Sequence, residues 1–266
     1  MPTYYQTSNA CKQYNEVNDM TDYIVNDTSV TGIKFLSESP ETRILNTNEL
    51  SALYFLSNDT SFTGFAQYTY YDIDGNTPMQ TNVQLYPNLV KYHNAIPVNW
   101  IGADPTAVKM RVRLIRSTSV AITEDKFFIL DNSQECTQKQ ITWLNKLGGY
   151  DTFMFAGGQE YIIDAQKENP IEYPFNTNFE SPLRINAYRS INSKKSFTLA
   201  NRCKTKETAD WLKSELVNSS DVYVIENDVY IPVDVKTATV EYNSWSKEFI
   251  VKFAFSYSFP INIQTR

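Results

Sequence analysis

Apolar side chains in this chain fall mainly at alternate positions, the spacing of a strand with one buried face. The longest example lies near the C-terminus, in EFIVKFAFSYSFPINI, where Phe249, Val251, Phe253, Phe255, Tyr257 and Phe259 share one face over eleven residues. That aromatic face reads as sheet core, with a ligand platform as the alternative. In the first half, Met110, Val112 and Leu114 alternate with Lys109, Arg111 and Arg113, which makes Lys109 to Ile115 the clearest strand there. Further strands are expected at Gly32 to Leu36, Leu53 to Leu56, Phe62 to Tyr71, Thr81 to Tyr86 and Lys126 to Leu130. Their short length and turn-bounded spacing fit a β-sandwich or barrel rather than βαβ units. Between two of them, Asp72-Ile73-Asp74-Gly75-Asn76 supplies the Asp-Gly pair of a tight hairpin, because both residues tolerate positive φ.

A polar connector, Asp131 to Glu135, precedes a second series of strands. These are expected at Gln140 to Asn145, Thr152 to Phe155, Tyr161 to Ala165, Leu183 to Arg189, Lys195 to Ala200, Val222 to Ile225 and Tyr230 to Val235. A long irregular stretch is expected through Pro170, Pro174 and Pro182. Gly148, Gly149, Gly157 and Gly158 are half of the 8 glycines and mark consecutive tight turns or close backbone approaches. One helix is predicted over residues 205–218, TKETADWLKSELVN, with Thr205 as N-cap, Glu207 in the first turn, and Ala209, Leu212 and Leu216 on the face that packs on a sheet. The first 30 residues are polar and without periodicity, an arm that drapes over something else.

The predicted fold is therefore mainly β. An N-terminal arm spans residues 1–30, a β-sandwich-like domain 31–130, and a second β-rich domain of α+β type 131–266, with helix 205–218 on its sheet. A length of 266 residues agrees with two domains, since a single core stops growing near that size.

Composition adds weight to the strand reading: 14% of residues are aromatic, with Tyr 18 and Phe 15, and these side chains suit a pleated, half-buried surface. The net charge of -6 gives a surface field that repels phosphate, so the sequence predicts no sequence-specific nucleic-acid binding and no adhesion to an anionic membrane. No apolar run approaches a membrane span, and the first twenty residues lack a basic start followed by an apolar segment, as in a soluble protein. Cys11, Cys136 and Cys203 are odd in number and widely spaced, which fits buried free thiols rather than a disulfide framework or zinc site.

Candidate chemistry is sparse. His93 is the single histidine, which confines any Ser-His, Cys-His or His-metal arrangement to one point. Asp72, Asp74, Asp151 and Glu160 are acidic candidates for glycoside hydrolysis, but no spacing selects a pair. The Asp72 to Asn76 run has its glycine at the fourth position rather than the sixth, so a turn is favoured over a calcium loop. No Walker or dinucleotide-binding loop is present. The chain is accordingly expected to be non-enzymatic, with no catalytic residues, cofactor or metal. Lys109, Arg111 and Arg113, joined by Arg116, form a stripe that is either a solvated face or a docking patch for a neighbouring subunit.

The segment KQITWLNKLGGYDTFMF, residues 139–155, resembles a pattern in structural proteins of tailed bacteriophages and prophages of Bacteroidota. The matching positions are Trp143, Leu144, Asn145, Gly148, Gly149, Asp151, Phe153 and Phe155. Residues 205–235 are also similar to the helix and following strands of those proteins, through Trp211-Leu212, Ser219, Val222-Tyr223 and Ile231-Pro232-Val233. The resemblance implies a virion scaffold of the neck, tail or baseplate, with the ring proteins of crAss-like phages as a candidate home. It implies a cyclic homo-oligomer as one partner and other tail or neck proteins as the rest. The alternative is a carbohydrate- or host-surface-binding tail module. In physical terms, the matched residues build a tight reversal with a buried indole and an asparagine bonded to turn backbone.

Overall fold

The computed structural model describes residues 20–25, 32–57, 64–72, 74–86, 92–98, 104–116, 120–131, 138–172, 186–259 and 261–262. After a short 3-10 helix at Met20–Tyr23, the first half holds β1 (Ile24–Val25), β2 (Thr42–Asn46), β3 (Ser51–Ser57), β4 (Gly64–Tyr71), β5 (Pro78–Tyr86), β6 (Tyr92–Val98), β7 (Lys109–Arg116), β8 (Val120–Ala121) and β9 (Lys126–Asp131). The second half holds β10 (Lys139–Leu144), β11 (Tyr150–Phe155), β12 (Gln159–Glu172), β13 (Asn186–Cys203), α1 (Lys206–Asn218), β14 (Val222–Glu226), β15 (Val229–Asn243), β16 (Glu248–Tyr257) and β17 (Ile261–Asn262). The protein is thus mainly β and sandwich-like, with one helix of more than a single turn among the described residues.

Three sheets form. A three-stranded sheet, β1-β3-β6, faces a six-stranded sheet, β2-β9-β7-β4-β5 with β8 on β7. The alternation in β7 explains the packing. Met110, Val112 and Leu114 point inward with Tyr68, Tyr70 and Phe128 from neighbouring strands, and meet Leu53, Phe55, Ile96 and Val98 of the smaller sheet. The third sheet, β11-β10-β14-β15-β16-β13-β12 with β17 on β13, has eight strands. Among the described residues every ladder lies within residues 24–131 or within 139–262.

The helix forms where the sequence predicts it. Thr205 caps it by accepting from the Thr208 amide at 3.3 Å, and Ala209, Trp211, Leu212, Glu215 and Leu216 are buried. Its apolar face lies over the eight-stranded sheet, where Val251, Phe253, Phe255 and Tyr257 are buried in the same core. Phe259, the last member of the alternating set, falls past the end of β16 and is exposed.

Several elements differ from the sequence expectation. Gly32 to Leu36 makes one isolated bridge, Ile33 to Thr123, because its backbone groups are used by Ile122, Asp22 and Tyr54 rather than by one partner strand. β2 and β6 carry too little apolar pattern to be expected from sequence, since β2 holds only the apolar pair Ile44-Leu45 and His93, Asn94 and Pro97 break up the other. Residues 186–189 of the first expected strand and Lys195 to Ala200 fall on one strand from Asn186, Pro170 lies within β12 opposite Tyr188, and Leu183, Pro174 and Pro182 lie outside the described residues. β12 is an edge strand, where proline is tolerated. Of the expected arm, residues 20–25 join the body through β1, which pairs with Leu56 and Ser57. Phe62, the 132–135 part of the connector, Cys11 and Cys136 lie outside the described residues.

Candidate functional site

β10 and β11 form an antiparallel pair, Lys139 with Phe155 through Leu144 with Tyr150, and the reversal between them is Asn145 to Gly149. Asn145 is fully buried and uses its whole hydrogen-bonding capacity. Its Oδ1 accepts from the Leu147 and Gly149 amides, both at 3.0 Å, which shapes the turn. Its Nδ2 donates to the Leu36 carbonyl at 2.7 Å and to Asp151 Oδ2 at 3.0 Å, which ties the turn to the segment ahead of β2 and to its own strand β11. Gly148 has φ +88, a conformation that favours glycine. Gly149 is required by proximity: a Cβ there would lie 2.3 Å from the Leu36 carbonyl oxygen.

From this turn a buried polar junction extends between the sandwich and the eight-stranded sheet. Asp151 Oδ1 accepts from Ser37 at 2.7 Å, and burial raises the Asp151 carboxyl above its usual range despite its donors Ser37 and Asn145. Arg43 donates to the Thr152 carbonyl at 2.7 Å and to Ser51 at 2.6 Å, and pairs with Glu49 at 2.9 Å with both side chains buried. Thr152 donates to the same Glu49 carboxylate at 3.1 Å. Burial nonetheless pushes Glu49 up, against the attraction of Arg43. Gln140 on β10 acts as a substitute strand, its Oε1 accepting from the Leu50 amide at 3.0 Å and its Nε2 donating to the Leu50 carbonyl. Lys126 donates to the Ser39 carbonyl at 3.0 Å, and Lys146 pairs with Glu38 at 2.6 Å.

Two further groups close the junction. His93 stacks on Tyr54 at 5.2 Å and sets Nε2 3.2 Å from the Gly148 carbonyl oxygen, a contact that the Nε2–H form completes. On the other side, Glu215 of α1 accepts from the Lys146 amide at 3.4 Å. Burial, with the nearby charges of Asp151 and Glu38, pushes its carboxyl up to about 7.

The matched residues are therefore brought together, though in two roles. Asn145, Gly148, Gly149 and Asp151 form the joint, with Leu144 half-buried where β10 enters the turn. Trp143, Phe153 and Phe155 face the sheet–helix core, with Trp143 5.3 Å from Trp211 and Phe153 5.1 Å from Phe155. Neither buried indole N–H of Trp143 or Trp211 has a partner among the described residues. Sequence reasoning missed Ser37, Arg43, Glu49, Gln140, Thr152 and Glu215. The available signal was slight: polar residues directly ahead of short apolar stretches, as in Arg43-Ile44-Leu45 and Gln140-Ile141.

The basic stripe lies elsewhere, on the outer face of the six-stranded sheet. Arg111 and Arg113 flank Asp125 at 3.6 and 3.7 Å, Arg113 also donates to Gln67 at 2.7 Å, and Lys109 sits 4.5 Å from the Phe127 ring centroid. These partners hold the stripe in place while leaving it partly exposed. Asp72 and Asp74 organise the β4–β5 loop, where Asp74 accepts from the Asn76 amide at 2.7 Å and the Thr77 amide at 2.9 Å. Glu160 is exposed on β12. Cys203 is buried, and burial raises its thiol to about 11, far from a reactive thiolate. Among the described residues no group of three His, Cys, Asp or Glu is placed to hold a metal, and no helix is long and apolar enough to cross a membrane.

No protein-family model matches the chain, and no curated protein is detectably similar to it.

Proposed function

We propose that this protein is a structural subunit of a tailed bacteriophage virion, in the neck, tail or baseplate, acting without catalysis and assembling as a cyclic homo-oligomer that contacts adjacent tail or neck proteins. The observation that carries this reading is a long ribbon together with outermost strands that expose apolar side chains, of the kind that assembly covers. β12 and β13 pair from Gln159 with Leu199 to Glu172 with Asn186, while the other described neighbours of β13 pair with it between residues 192 and 203. Beyond that, the ribbon has two strands among the described residues, an arrangement that is marginal in water by itself. Near its base, Tyr161, Ile162 and Ile163 are exposed in succession on an edge strand. β5, the edge of the six-stranded sheet, exposes Met79, Val83 and Leu85 and carries no charged residue. Natural monomers guard such edges with charges or coverings, and a ring subunit leaves them for its neighbours.

The likeness of residues 139–155 and 205–235 to phage structural proteins supports the same reading. So does the junction, whose buried polar groups fasten two sheet systems into one stiff unit. Mass spectrometry of purified virions, with imaging of labelled protein, tests it. Stoichiometric copies at the neck or tail are expected, and absence from virions overturns the proposal.

A second reading has one observation in its favour. Trp245, at the tip of the β15–β16 hairpin, is 97% exposed, with the exposed Tyr242 nearby in sequence. Such rings suit sugar stacking by a host-surface-binding tail module. Binding on a glycan array that is lost in Trp245→Ala would favour it over a purely internal ring.

A further inference from the structure

Helix α1 buries a carboxyl group among apolar side chains. On the face that packs over the eight-stranded sheet, Ala209, Trp211, Leu212 and Leu216 surround Glu215, which is 5% exposed. Geometry alone disfavours a charge at this position. Glu215 lies in the last turn of the helix, where unpaired carbonyls form the negative end of the dipole, and that turn carries no base. It has no ion pair among the described residues. Its hydrogen bond is the 3.4 Å contact from the Lys146 amide, while the Lys146 ammonium is held by Glu38 at 2.6 Å. The strands beneath α1 face it with apolar side chains such as Val251 and Phe253. The charged groups around Glu215 are Asp151 of β11 and Glu38 of the segment ahead of β2, against Lys146 of the turn, and Asp221, between α1 and β14, is a further acid. The raised carboxyl described above is the expected result.

The same helix end fastens α1 to the joint. Glu215 meets the β10–β11 turn at Lys146, and the C-cap Ser219 donates to the Leu144 carbonyl at 2.8 Å, where β10 enters that turn. The Leu144 amide donates in return to the Asp221 carbonyl at 2.9 Å. The next residue, Asn145, carries the connection on to Leu36 and Asp151. A charge on Glu215 therefore acts where the helix-bearing sheet meets the segment ahead of β2.

We propose that the last turn of α1 and the β10–β11 turn form a proton-operated latch, closed while Glu215 is protonated and opened locally, with the rest of the fold intact, when Glu215 loses its proton. Opening admits water to the carboxylate and separates it from Asp151 and Glu38. With a carboxyl at about 7 in the closed state and an ordinary 4.5 in the open one, the closed state binds the proton more tightly, so opening grows as pH rises. The ratio of open to closed latch should increase about tenfold from roughly pH 6 to pH 8. The inference is independent of the virion reading, because it concerns one helix end within a single chain.

Native-state hydrogen exchange on the full chain tests it, with each rate divided by the intrinsic rate at that pH. The Leu216, Val217 and Asn218 amides should exchange through a local opening that low denaturant does not accelerate, and their protection should fall about tenfold over that pH range. Glu215→Gln should abolish the fall. Glu38→Gln, at an exposed position, removes one carboxylate and releases the Lys146 ammonium to Glu215, so it should move the fall to lower pH. Exchange at these amides only through denaturant-sensitive global unfolding, in step with Met110 and Val112 of β7, would overturn the latch. Local opening that is constant with pH, or that changes equally in Glu215→Gln, would overturn Glu215 as its trigger.

Discussion

Glu215→Gln should flatten the dependence of stability on pH. Glu215 is 5% exposed on α1, facing the Lys146 amide with the carboxylates of Asp151 and Glu38 nearby. Its carboxyl moves from an ordinary 4.5 when unfolded to about 7 when folded. Between those values the folded state holds the proton more tightly, so this group's contribution is full at low pH and is lost as pH rises through 7. At about 1.36 kcal/mol per pKa unit the ceiling is about 3 kcal/mol, of which about 2 kcal/mol is lost between roughly pH 5.5 and pH 8.5. Glutamine keeps an oxygen for the Lys146 amide and carries no charge to desolvate. Thermal melts of both proteins across this range should therefore diverge. The variant should gain on the parent toward high pH by up to about 4–8 °C, at ~2–4 °C per kcal/mol for chains of this size. A difference in melting temperature that stays constant with pH would refute a raised Glu215 carboxyl in the folded state.

Other substitutions address the junction and its surroundings. Gly149→Ala must displace the Leu36 carbonyl and should cost about 2–4 kcal/mol in denaturant unfolding. Arg43→Met strands Glu49 in the interior and should cost about 3–5 kcal/mol, while the double change with Glu49→Leu should recover much of that loss in the same assay. Asn145→Ala leaves Asp151 and two turn amides short of partners, and should speed hydrogen exchange at Leu147 and Gly149 well before it affects β7. Trp245→Ala, at an exposed hairpin tip, should change stability by no more than about 0.5 kcal/mol.

Much of the framework was legible because it rests on local pattern. The β16 alternation, the capped helix and the β7 stripe each carry their own periodicity, and each forms where that periodicity places it. The turn at Asn145 to Gly149 was legible as a turn from its glycines and asparagine. Its position as the joint was not, because the partners Leu36, Ser37 and Arg43 lie more than a hundred residues away and their pairing depends on tertiary placement. Arg43 shows why. A charge beside only two apolar residues weakens a strand prediction, yet here the charge is buried beside Glu49 and bonds the Thr152 carbonyl on the edge of β11. The Gly32 to Leu36 segment shows the converse, with strand-like residues whose backbone is divided among several neighbours.

Scanning calorimetry of the full chain would probe whether the junction fastens the sandwich to the helix-bearing sheet as one unit. A single transition with equal calorimetric and van't Hoff enthalpies is expected, splitting into two when Arg43→Met weakens the joint. Two separate transitions in the unaltered protein would contradict a unit held together by Asn145, Asp151 and the Arg43–Glu49 pair.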